Sequence, residues 1–121
     1  MKRISAALIP LLVAGAMTLT SAQADNVVVG FQQTSCGQWT QARASHQSAE
    51  MEFWAMGFVS GASFVRQLEV GTGVLDSATD AQAIYSRIDN YCRSKPLELF
   101  PSAAASLVIE LRARARALQR D

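Results

Sequence analysis

Apolar positions along this chain recur at intervals of three and four residues, the spacing of helix faces, with almost no sustained alternation of the kind a strand needs. The longest such stretch is Ser48 to Val70. It carries no charge from Phe53 to Val65. That is too apolar for an ordinary surface helix and too short for a membrane span, which needs about 20 apolar residues. The pattern predicts a central helix buried on most sides. Ser48 is placed to cap it, and Glu50 and Glu52 suit the positive end of its dipole. Gly57 and Gly61 lie one turn apart on one face. Each glycine inside a helix costs about 1 kcal/mol relative to alanine. The expectation is therefore a neighbouring backbone packed close against the pair. Filling that space, as in Gly57→Leu, is expected to destabilise by several kcal/mol, since overpacking costs ~1–3 kcal/mol and sometimes more.

The flanking segments carry the same period. Ser35 and Gln38 form a capping-box pattern ahead of Trp39, Ala42 and Arg43, a first helix that fades in Ala44 to Gln47. Gly71-Thr72-Gly73 breaks the chain after Val70. Ile84, Ile88 and Cys92 share one face of a third helix, from about Thr79 to Arg93, which Lys95-Pro96 ends. Phe100, Ala104, Leu107, Leu111, Ala115 and Leu118 line a last helix that starts near Leu97 or at Pro101 and runs to about Arg120, where arginines suit its negative end. The predicted core is Trp39, Phe53, Trp54, Phe58, Ile84, Ile88 and Leu107. Val27 to Val29 read as an extended arm over that core.

The N-terminus changes the compartment. Lys2 and Arg3, an apolar run from Ala6 to Leu19, and Ala22-Gln23-Ala24 make a signal peptide, cleaved after about Ala24. Residues 25–121 then form a single all-α domain of about four helices in the periplasm, with no stable membrane anchor. The whole chain has 11 basic and 10 acidic residues. Loss of Lys2 and Arg3 leaves the mature domain slightly acidic, which gives no ground for nucleic-acid binding.

That compartment decides the chemistry of Cys36 and Cys92, the only two cysteines. An even pair in a small exported domain reads as a disulfide. It would close most of the mature chain into one loop, worth ~4 kcal/mol on the chain-entropy model. A redox or metal-binding pair is the weaker alternative, since no Cys-x-x-Cys occurs. His46 is the one histidine. Ser45, Ser48 and Glu50 are its sequence neighbours, but no nucleophile-elbow motif occurs, and one histidine is no zinc set. A surface linker histidine is the reading, and the chain reads as a non-enzyme with no cofactor and no metal.

The order of features resembles a known family. A cysteine and tryptophan open a helix (Cys36-Gly37-Gln38-Trp39). A Gly-x-x-x-Gly helix follows (Gly57-Phe58-Val59-Ser60-Gly61), then Ile88-Asp89-Asn90-Tyr91-Cys92 and Pro96, then an alanine-rich helix from Ser102 to Val108. This is similar to the Rap/Tai immunity proteins, small periplasmic helical proteins that neutralise peptidoglycan-cleaving effectors of type VI secretion. The outline also resembles the HdeA acid-stress chaperones. The resemblance implies an HdeA-like bundle closed by one disulfide, with a cell-wall hydrolase as partner; a homodimer is compatible with it. The loop with Gly71, Thr72, Gly73 and Asp76 is the expected partner-binding surface, being irregular and glycine-bearing.

Overall fold

The structure, a computed structural model, describes residues 30–120. The signal peptide and the Val27–Val29 run lie outside the described residues. Four helices follow one another: α1 (Cys36–Ala44), α2 (Ala49–Val70), α3 (Ala81–Ser94) and α4 (Phe100–Leu118). Among the described residues there is no strand, only an isolated antiparallel bridge between Ser35 and Leu99. α1 lies against α3, and α2 against α4, with α3 and α4 in contact between them.

The local signals explain most boundaries. Ser35 and Gln38 form the reciprocal capping box that opens α1. The next amides of α1 are met from outside the helix. Cys36 N–H donates to the Glu98 carbonyl at 2.8 Å and Gly37 N–H to that of Pro96 at 3.1 Å, while Phe100 N–H donates to the Thr34 carbonyl at 2.8 Å. This clip ties the starts of α1 and α4 together. Asp80 caps α3 through the Ala83 N–H. Pro101 sits in the first turn of α4, where its missing amide costs nothing.

The core is one cluster. Trp39, Ile88, Phe100, Val59 and the two cysteines are its largest fully buried side chains. Trp39 stacks on Phe100 with ring centres 4.9 Å apart. Phe31, the start of the described chain, stands edge-on to both Phe100 and Trp54. Cys36 and Cys92 are bonded, their Cα atoms 4.8 Å apart, joining the first turn of α1 to the last turn of α3.

A polar network locks three helices on the side of this core. The indole N–H of Trp39 donates to Asp89 Oδ1 at 2.8 Å. Arg43 reaches both Asp89 oxygens, at 3.3 and 3.1 Å, and Glu52 Oε1 at 2.6 Å. Its guanidinium also lies 5.6 Å from the Trp39 ring centre and 5.5 Å from that of Tyr85. Ser48 is the residue before α2, as expected, but does not cap it with its side chain; its hydroxyl donates to Glu52 Oε1 at 2.6 Å. The Ser48 hydroxyl, and then Arg43, hold the Glu52 carboxyl below its ordinary range.

Two expectations about α2 are corrected. The helix is not buried on most sides. Met51, Ala55, Val59, Ser63 and Arg66 face inward at spacings of four and three, while Phe53, Phe64, Val65 and Leu68 are exposed. Phe53 therefore leaves the predicted core, and Trp54 and Phe58 belong to its half-buried margin. Nor do the glycines mark a close backbone: a Cβ at Gly57 or Gly61 would meet nothing within 4 Å. The cause is the same in both cases. The bundle has four helices, and α2 spends only one face on it.

Two outcomes follow. At high dilution Gly57→Leu should change stability by less than about 1 kcal/mol, because leucine fills open space and is the better helix former; chemical denaturation checks this. Glu52 supplies stability above the ordinary glutamate range, and that stability is lost as pH falls through its depressed value. Glu52→Gln should thus cost about 1 kcal/mol near neutral pH, the pair being partly exposed. The gap from the native protein should close below about pH 4 in denaturation curves taken across pH.

Candidate functional site

The expected partner-binding loop follows α2, and its conformation is dictated by two polar side chains that α2 turns inward. Arg66 is 5% exposed. A buried guanidinium needs acceptors for its five donors. Nη1 donates to the Thr72 carbonyl at 2.6 Å, to Thr72 Oγ1 at 2.8 Å and to the Gly73 carbonyl at 2.9 Å. Nη2 reaches Gln119 Oε1 at 3.3 Å, and Gln119 donates back to Thr72 Oγ1 at 2.7 Å. The charge is thus met by loop carbonyls and not, among the described residues, by a carboxylate. One turn earlier, Ser63 Oγ accepts the N–H groups of Val74 and Leu75 at 2.9 and 3.2 Å.

The four residues expected to meet a partner are each engaged inside the molecule. Gly71, at φ 80°, ends α2 and donates its N–H to the Gln67 carbonyl. Thr72 receives Arg66 and Gln119. Gly73 approaches closely, but toward its own helix: a Cβ there would stand 2.4 Å from Ser63 Oγ. Asp76 accepts from Thr79 Oγ1 at 2.7 Å and from Ala78 N–H at 3.1 Å. The Thr79 hydroxyl foremost, with the Ala78 N–H and the Arg114 charge, holds its carboxyl below the ordinary range. The loop is therefore a fixed shape. Gly71, Thr72 and Asp76 remain exposed on its outer side.

That shape makes one wall of a groove of about 240 Å³, with the end of α4 as the other. Val74, Leu75, Leu111, Ala115 and Leu118 supply an apolar lining, while Asp76 and Arg114 also border it. The apolar stripe of α4 explains the floor. It is buried from Phe100 to Leu111, then outruns the bundle, so that Leu118 is exposed. The loop thus meets residues of α4 that the sequence assigned to the core. Arg66 was the missed organiser. Its signal was a cation in an inward register, in step with Met51, Ala55 and Val59, which periodicity alone scores as a break in an apolar face.

A second cleft, polar throughout, is lined by Thr40, Arg43, His46, Asp89 and Arg93. His46 is exposed in the link between α1 and α2, as expected. It adopts φ 56°, with its N–H donating to the Arg43 carbonyl and that of Gln47 to Ala42, the left-handed closure of a helix end. The serines beside it are used elsewhere: Ser45 Oγ donates to the Gln41 and Ala42 carbonyls and Ser48 Oγ to Glu52. Neither is held against His46 as a nucleophile would be. Among the described residues no group of three or more His, Cys, Asp or Glu side chains could hold a metal ion, and no helix is long and apolar enough to cross a membrane.

The loop clamp has a direct test. Gly73→Ala should destabilise by about 1–3 kcal/mol through its clash with Ser63. In a Ser63→Ala background the same change should cost clearly less, because the two sites share one contact. Additive denaturation energies in that double-mutant cycle would reject the contact. Comparison of the chain with protein-family models, curated proteins and solved structures finds no match.

Proposed function

We propose that this protein is an exported binding protein of the immunity type. It would act in the periplasm after signal-peptide removal and neutralise a peptidoglycan-cleaving effector of type VI secretion by occluding it. The observation that carries the reading is the groove between the Thr72–Asp76 loop and the end of α4. It is apolar within, charged at its edge, and held in shape by Arg66 and Ser63 from behind. A protein inhibitor gains affinity from such preorganisation, since little entropy is lost on docking. Apolar pockets with a few placed polar groups are also where partner side chains anchor. The disulfide supports an oxidising compartment. The order of sequence features shared with Rap/Tai proteins supplies the class of partner.

The exposed apolar face of α2 favours a second reading, an HdeA-like acid chaperone, because a holdase needs such surface for clients. Suppression of client aggregation at about pH 2–3, below the carboxylate range, and its absence at neutral pH, would support that role.

For the immunity reading, the mature protein should bind and inhibit a cell-wall hydrolase encoded beside its own gene. Leu118→Glu and Asp76→Lys should weaken that binding at least tenfold, roughly 1.4 kcal/mol or more, without lowering the melting temperature. The reading fails if no neighbouring hydrolase binds and deletion of the gene causes no self-intoxication.

A further inference from the structure

The outward face of α2 remains without a partner in the domain. Its residues, Glu50, Phe53, Gly57, Gly61, Phe64 and Leu68, follow one another at spacings of three and four and so form one straight stripe. Phe53 is 67% exposed, Phe64 61% and Leu68 71%. Between them the helix surface is bare at both glycines, where a Cβ would touch nothing within 4 Å. Aromatic rings thus stand on either side of a hollow. Isolated apolar residues on a surface need no explanation; a continuous stripe about 22 Å long does.

The pattern is a palindrome about residue 59. Turned end for end, the stripe places Gly57 on Gly61, Phe53 on Phe64 and its neighbour Val65, and Glu50 on Leu68. We infer that a second copy of this chain covers this face, the two α2 helices packed antiparallel about a two-fold axis between Gly57 and Gly61. A two-fold contact must be self-complementary, each patch meeting the same patch reversed. This stripe meets that condition. The bare glycines let the two backbones approach, and each Phe53 ring packs beside the other copy's Phe64.

Charge selects the direction. A parallel pair would set Glu50 on Glu50, with no cation on the stripe to offset it. The antiparallel pair separates those two carboxylates by the length of the stripe and opposes the two helix dipoles. The strip is only one helix, about 10 Å, wide. It is therefore smaller than the roughly 800 Å² per partner of a stable interface, so the pair is weak and concentration-dependent. The groove by α4 is left free on both copies, so the inference stands apart from the proposed function.

Sedimentation of the mature protein should show a monomer–dimer equilibrium at micromolar to millimolar concentration. Phe64→Lys and Gly57→Leu should each shift it at least tenfold toward monomer while the helical circular dichroism is unchanged. Leu118→Glu should not shift it. Orientation is read with a short bismaleimide cross-linker on the oxidised protein. A mixture of Phe53→Cys and Phe64→Cys chains should give cross-linked dimers, whereas either alone should give few, since like positions lie too far apart. A protein that stays monomeric to millimolar concentration overturns the inference. So does a dimer indifferent to Phe64→Lys and Gly57→Leu, or efficient cross-linking of Phe53→Cys chains with one another.

Discussion

Trp39 sets the geometry of this domain. A fully buried indole has one donor and no acceptor, and leaving that donor unpaired costs about 1–3 kcal/mol. It is met by Asp89, half a domain away in sequence, so α1 and α3 have one allowed relation. The Asp89 carboxylate in turn needs a counter-charge at the edge of an apolar core. Arg43 supplies it from the next turn of α1, and its remaining nitrogen passes the constraint to Glu52 on α2. Burial of one aromatic ring thus fixes three helices. The Cys36–Cys92 bond fixes the same pair, α1 and α3, from the other end. One device restrains the folded arrangement and the other chiefly the unfolded chain, so they do not duplicate each other.

Much of this was legible in the residues. The caps at Ser35, the stop at Lys95-Pro96 and the entry at Pro101 are local chemistry, and they lie where the sequence places them. The cysteine pairing followed from number and compartment. Asp89 was not legible as a hub, because a carboxylate in a helix is ordinarily solvated, and only the folded chain brings Trp39 and Arg43 to it. The same holds for Ser48, whose position before α2 was clear and whose hydroxyl was taken by Glu52 instead of the backbone.

α2 failed in a more instructive way. Hydrophobic periodicity infers burial from contrast, an apolar face set against a polar one. Here Met51, Ala55 and Val59 face the core while Phe53, Phe64 and Leu68 face away, so the contrast vanishes. A helix apolar on every side then reads as central. The glycines deepened the error, since two of them at one-turn spacing have the same signature whether the close neighbour lies within the chain or outside it. The inward face held a second disguise: Ser63 and Arg66 look polar, yet are buried because the loop brings its carbonyls and amides to them.

The two faces of α2 therefore divide the work of the domain. The inward face ends in Ser63 and Arg66 and spends its polar groups on a loop, which converts Gly71 to Asp76 from a connector into a wall. Burying Arg66 against carbonyl oxygens without a carboxylate is costly unless every acceptor stays in place. That makes the loop stiff, and with it the groove. The outward face carries no such obligations, and its exposed rings contribute nothing to the stability of a single chain. Apolar surface of that kind persists at a cost in solubility, which an interaction beyond the monomer offsets. Rigidity on one side and unspent apolar area on the other follow from one helix having more nonpolar surface than a four-helix bundle of this size can cover.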